Sequence, residues 1–200
     1  MAKISPEKRA ARRAQILDAA WKCFERKGLH PTTMDNIIEA SGLSAGAVYG
    51  YFKNKDDLII SALMTSMTGV AEEIGPLLAR RPPSPPNVLL RELTSAISSF
   101  TARDGFDLKR IALLGWSEAQ HNAPLLTTMR PFYVAFRDQL KAVAMAWQRD
   151  GVIDATADPD DVSKALLATT MGFVAQSAVL GDVEPDAIGR GVSALAKAGK

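Results

Sequence analysis

Apolar residues in this chain fall mainly three and four positions apart, the spacing of helices with one buried face. Ile16, Ala20 and Phe24 make one such stripe, flanked by Leu17 and Cys23. The helix that carries it is expected to start near Glu7, with Ser5 as its N-cap and Pro6 in the first turn, and to end at Gly28. Thr33 is placed to cap a short second helix, Met34 to Ala40, whose Met34, Ile37 and Ile38 face inward. Ser41-Gly42-Leu43 forms a turn, and Ser44 caps a third helix reaching about Tyr51. Asn54 caps a fourth, which starts at Lys55 and runs to about Leu78. The run from Arg80 to Pro86 is rich in proline and must be a stiff loop. Beyond it the pattern predicts helices near 87–103, 107–121, 124–150, 159–180 and 185–198. Pro131 lies inside the third of these, so that helix either kinks there or breaks and restarts. No β-branched run alternates over five or more positions. The expected fold class is all-α, with about nine helices.

Composition narrows the class. A hydrophobic fraction of 47% is enough for a packed core and argues against a disordered chain. The single cysteine, Cys23, excludes an internal disulfide framework. The first fifteen residues hold no apolar stretch of the kind a secretory signal needs. Ala165–Leu180, the best candidate for a membrane span, is too short and carries Thr169, Thr170, Gln176 and Ser177. A cytoplasmic protein without a membrane partner is therefore expected. The net charge of +2 is unevenly shared: residues 1–55 hold ten Lys/Arg against five acids, and the remainder is mildly acidic. A basic head on an acidic body points to a polyanion met by the head alone.

Residues 32–55, TTMDNIIEASGLSAGAVYGYFKNK, pair two short helices across a tight turn, the plan of a helix-turn-helix. Ser44, Ala45, Gly46 and Ala47 give the second helix a slim leading turn that fits deep in a major groove, Tyr49 and Tyr51 supply hydroxyls, and Lys53 and Lys55 add charge. ILDAAWKCFERKG, TTMDNIIEASGLSAGAVYGYF and KNKDDLI together resemble the TetR-type regulators, across roughly residues 10–70. That resemblance implies that Thr33 caps the second helix and touches phosphate, that Ser44–Tyr51 is the reading helix, and that Tyr49, Tyr51 and Lys55 meet the DNA backbone. The expected DNA-binding set is thus Thr33, Ser44, Ala45, Gly46, Tyr49, Tyr51, Lys53 and Lys55. Two positions depart from the family pattern. Gly50 stands where relatives carry a larger side chain, and Ala47 where threonine is frequent, which shifts operator preference toward Tyr49, the N-terminal arm and DNA shape. Lys3, Lys8, Arg9, Arg12 and Arg13 form either a basic arm, residues 1–9 foremost, that reaches an adjacent groove or the DNA backbone, or a solvated, frayed terminus.

The resemblance also implies that residues 71–200 form a helical ligand-binding and dimerisation domain. Its expected effector is small and largely apolar, with Met67, Phe100, Trp116, His121, Phe132, Phe136, Met171 and Gln176 as candidate pocket residues. Ala165, Leu166, Thr169, Gly172, Phe173 and Gln176, with Ile188, Val192 and Leu195, suggest a helical face for a homodimer on a palindromic operator of double-stranded DNA. By family habit the protein is a repressor released by its effector, with the long fourth helix linking sensor to head. Catalysis is not expected: His30 and His121 are the only histidines, and no HExxH, P-loop or CxxC occurs. No catalytic residue, metal ligand or cofactor is assigned. The rival reading is a ligand-binding or protein-interaction helical module whose head has lost specific DNA binding.

Overall fold

A computed structural model describes residues 5–103 and 106–197. Among these residues the chain forms nine helices: α1 (Pro6–Lys27), α2 (Met34–Ser41), α3 (Ala45–Tyr49), α4 (Lys55–Ala79), α5 (Pro86–Thr101), α6 (Leu108–Glu118), α7 (Ala123–Arg149), α8 (Pro159–Val179) and α9 (Pro185–Lys197). The fold is all-helical apart from one departure from expectation. Ala102–Arg103 (β1) and Phe106–Asp107 (β2) pair antiparallel between α5 and α6. Two residues per strand leave no alternating pattern to read, so the ladder was invisible to periodicity.

Local chemistry accounts for the helix starts. Ser5, Thr33, Ser44 and Asn54 each accept a hydrogen bond from the backbone N–H three residues on, capping α1, α2, α3 and α4. Each such cap contributes about 1 kcal/mol. At Thr33 the cap is reciprocal, because the Asn36 side chain accepts from the Thr33 N–H. Gly28 (φ +85°) and Gly42 (φ +65°) take the left-handed backbone that turns the chain out of α1 and α2. α7 continues through Pro131 without a break, which decides between the two expectations. α3 is shorter than expected, ending at Tyr49. Lys8 and Arg9 belong to α1 rather than to an extended arm, and Lys3 lies outside the described residues.

Two apolar clusters hold the helices. One gathers Ile16, Ala20, Phe24, Ile37, Val48, Phe52 and Leu58 from the head and continues into Leu108 and Ile111 of α6. The other packs α4 and α5 against α7 and α8 through Leu78, Leu89, Leu93, Leu140, Trp147 and Phe173, and Trp116 touches both clusters. The Trp147 indole N–H donates to the Ser84 carbonyl at 2.9 Å, pinning the proline loop to this second core. α4 is the one described helix long and apolar enough to cross a membrane, a stretch the sequence reading passed over. Here it is the central strut: Leu58, Ile59, Ala62, Leu63 and Met67 are buried against the head cluster, and Ile74 and Leu78 against the second.

The face drawn for a partner on α8 and α9 is only partly outward. Leu166 and Phe173 are buried in their own subunit, and Ile188 and Val192 pack onto the same core. Ala165, Gln176 and Leu195 do point outward, joined by Val179 and Leu180, which are 71% and 62% exposed.

Candidate nucleic-acid interface and sensor cavity

α3 is held by one buried residue, Val48, and by its position across α2. Everything else on it is offered to solvent or half-buried: Ser44, Ala45, Gly46 and Gly50 are exposed, and Tyr49 is 48% exposed. A Cβ added at Gly46 would meet no atom within 4 Å, so the leading turn is slim because of its sequence and not because of crowding. Gly50 keeps an ordinary right-handed backbone (φ −70°), and glycine is not required there for conformation.

A groove runs between α3 and the first turns of α1, lined by Arg9, Arg12, Ser44, Gly46, Gly50 and Tyr51 among others. The Arg9 guanidinium lies 5.8 Å from the Tyr51 ring centroid, and Arg13 lies 5.5 Å from that of Phe52. These contacts seat α1's cations against the segment that follows α3. Arg9 and Arg12, expected in an arm reaching an adjacent groove or the backbone, instead stand on helix α1 and line the groove beside α3. The i, i+3 spacing of those two arginines on a helix was the available signal.

The other expected DNA-binding residues differ in how far they are free. Thr33 is exposed at the start of α2, and Lys53 is exposed before α4. Tyr51 is half-buried beneath Arg9. Lys55 is already engaged: its ammonium donates to the carbonyls of Leu29 and His30 at 3.3 and 2.8 Å, leaving one N–H. Cys23 is not a reactive thiol, since burial pushes its pKa up and its Sγ faces the Asn36 carbonyl.

One motif escaped the sequence reading: Gly42-Leu43-Ser44-Ala45-Gly46 spells G-x-S-x-G. The hydrolase elbow with that spelling needs a strand before the serine. Here helix α2 precedes it, and the Ser44 hydroxyl accepts from Ala47 N as a helix cap.

In the body, a cavity of about 80 Å³ lies between α4, α5, α6, α7 and α8. Five of the expected pocket residues line it: Met67, Trp116, Phe132, Phe136 and Met171. Three do not. Phe100 lies on the opposite side of α5, in a groove shared with α1 and α4, where its ring presses on Gly69. His121 is exposed in the turn between α6 and α7, and Gln176 is exposed on α8. Tyr133 and Thr101 line the cavity and were missed. Tyr133 continues the stripe Met129, Tyr133, Phe136, Leu140, which its spacing alone reveals. Its hydroxyl accepts a short hydrogen bond from the Trp116 indole N–H, and burial raises the pKa of the phenol, so it remains protonated.

α6 joins the two regions. Leu108, Ala112 and Trp116 line the cavity, while Arg110 pairs with Glu25 of α1 at 2.9 Å and Glu118 meets His30 Nε2 at 3.0 Å. Among the described residues, no three His, Cys, Asp or Glu side chains gather as a metal site would require.

Comparison with known proteins decides the lineage. The profile of bacterial regulatory proteins of the TetR family matches residues 16–62, and that of the BetI-type transcriptional repressor C-terminal domain matches residues 90–197. This chain belongs to the TetR family. The HTH-type transcriptional repressor Rv1474c of Mycobacterium tuberculosis is 41% identical over 61 residues, 30% of this chain and 33% of the relative. The HTH-type regulator BetI of Paraburkholderia phymatum is 28% identical over 120 residues, 58% of this chain and 59% of BetI. The chain thus aligns with between a third and three-fifths of the length of these two TetR-family relatives. Solved structures extend the likeness over the whole fold. Salmonella enterica GusR superposes with a TM-score of 0.73 at 24% identity, covering 98% of this chain and all of GusR. A regulator from Saccharomonospora viridis solved with choline gives 0.74 at 19% identity, covering 94% and 96% of the two chains.

Proposed function

We propose that this TetR-family chain binds double-stranded DNA through α3, acts as a repressor, and leaves its operator when a small, largely apolar effector fills the α4–α8 cavity. The observation that carries this reading is the exposed, slim α3 with Tyr49 at its end and Arg9 and Arg12 along its groove. A helix with small residues at its leading turn can approach base edges, and flanking cations neutralise phosphates. Ser44, Ala45 and Gly46 enter the groove in this reading, and Thr33, Tyr49, Tyr51 and Lys53 meet the backbone. Lys55 contributes its one remaining N–H.

Two copies related by a twofold axis place two α3 helices about 34–36 Å apart for a palindromic operator. The outward residues of α8 and α9 support that pairing. Sedimentation at twice the 21.5 kDa chain mass at micromolar concentration is expected.

Release follows from α6 and α4 together. The cavity of about 80 Å³ is far smaller than the ~300–1,000 Å³ of drug-sized sites. An effector must therefore push its walls apart, and α6 is a wall that also grips α1 by Arg110–Glu25. Only an effector that prefers the widened state shifts the equilibrium away from DNA. The test is a gel shift on DNA flanking the chain's own gene, repeated with a panel of apolar and aromatic compounds. Retarded DNA that one compound class releases is the expected result. A chain that binds such compounds and never shifts DNA is a ligand-binding module instead.

Gly50→Arg sharpens the reading. Its side chain would enter the α3 groove, and both affinity and sequence preference should change. If neither moves in a binding-site selection, that position does not approach the bases.

A further inference from the structure

The sensor cavity carries little polar chemistry, and the part that remains free is of one kind. Tyr133 of α7 accepts the Trp116 indole N–H, which uses a lone pair and leaves the phenolic proton to give. No described residue takes that proton. Of the other wall hydroxyls, Thr101 donates to the Ile97 carbonyl and Thr170 to the Leu166 carbonyl, one turn back in their own helices, which leaves Ser66 of α4 as a second, aliphatic hydroxyl on the wall beside the Tyr133 phenol.

No charged residue lines the cavity, and behind its wall stands an ion pair with the cation the more deeply buried partner. The Lys109 ammonium, buried at 8% exposure, donates to the Thr101 hydroxyl at 3.3 Å from behind the cavity. Its counter-ion, Asp107, lies 3.0 Å away but is 38% exposed, where solvent screens it more strongly. No Asp, Glu or His lines the cavity. The rings of Trp116, Phe132 and Phe136 would attract a quaternary ammonium by their faces, but such cages are completed by open ring faces or acids. Here the Trp116 edge is tied to Tyr133, and the nearest charge recorded at the wall is positive.

We propose that the effector is a mainly apolar molecule with one oxygen acceptor, a ketone or carboxylate, which accepts a hydrogen bond from the Tyr133 hydroxyl, and that the cavity rejects cationic head groups. This deepens the reading of the cavity as the effector site and rests on it. Tyr133 is then the residue that sets head-group specificity, and Lys109 biases the same end of the cavity against cations.

The test uses the purified full chain and three small probes with one aromatic ring and different heads: phenylbutanoate, benzylacetone and phenethyltrimethylammonium. Isothermal titration calorimetry should give the two oxygen-bearing probes affinities about tenfold above the ammonium. Tyr133→Phe keeps the ring, and should cost the ketone about fivefold in affinity while leaving the ammonium unchanged. Equal binding of all three probes, or preference for the ammonium, overturns the proposal and leaves the cavity as an effector site. Failure of all three to bind overturns both. The comparison of probes on the unaltered chain stands whether or not the variant folds.

Discussion

In the head, fully buried side chains brace an exposed helix; in the body, the core encloses a cavity. Ile16, Ala20, Ile37, Val48 and Leu58 are wholly buried, and what they brace is a surface helix with cations beside it. Where that cluster meets the body, comparable apolar side chains, Met67, Trp116, Phe132, Phe136 and Met171, line a cavity. The same residue types thus serve rigidity in one half and adaptability in the other. A filled core loses much when a side chain is shortened, because its neighbours cannot follow, whereas a wall already facing a void loses fewer contacts.

That contrast can be broken most forcefully by truncation. Phe24→Ala in the head should cost about 3–5 kcal/mol in denaturant unfolding. Met171→Ala at the cavity wall should cost less than about 1 kcal/mol by the same measurement. Similar losses at the two sites would erase the distinction. A smaller effect is expected where the head depends on a cap: Thr33→Ala removes the reciprocal bonds at the start of α2 and should cost about 1 kcal/mol. Thr33→Ser, which keeps the acceptor, should recover most of it.

Electrostatics sharpen the outside of the head. Arg9→Ala and Arg12→Ala should each lower the slope of log affinity for DNA against log salt by about 0.9. A slope indifferent to both would remove α1 from the interface. The smallest effect on stability belongs to the joint between the regions. Glu118→Gln weakens its contact with the 84%-exposed His30 and should change unfolding by no more than about 0.5 kcal/mol. Its consequence should appear in how strongly effector weakens DNA binding, read by titrating both ligands together.

The two halves also differed in how far they were legible. In the head, Ser5, Thr33, Ser44 and Asn54 act as the caps their positions predict, and Gly28 and Gly42 take the turns expected of them. These are interactions between residues three or four apart, so spacing along the chain is sufficient. In the body, the expected starts at 159 and 185 match α8 and α9, where Pro159 and Pro185 open the helices, but which face meets the cavity was not readable. Ile97 and Thr101 line it, and Phe100, rotated off their stripe, sits on the far side against Gly69. That phase is set by how α4 and α5 cross, a contact between distant parts of the sequence. His121 and Gln176 were chosen for their chemistry alone, and both face solvent. Tyr133 lay on a visible stripe, and only its bond to Trp116 marks it out from the core.

The central claim is that α3 reads duplex DNA. Fluorescence anisotropy of the purified chain on labelled DNA flanking its own gene, competed with random duplex at moderate ionic strength, tests it directly. The account predicts that the flanking fragment resists competition and that Tyr49→Ala abolishes this advantage while the fold melts as before. Equal competition by random duplex, with Tyr49→Ala indistinguishable from the parent chain, would contradict it.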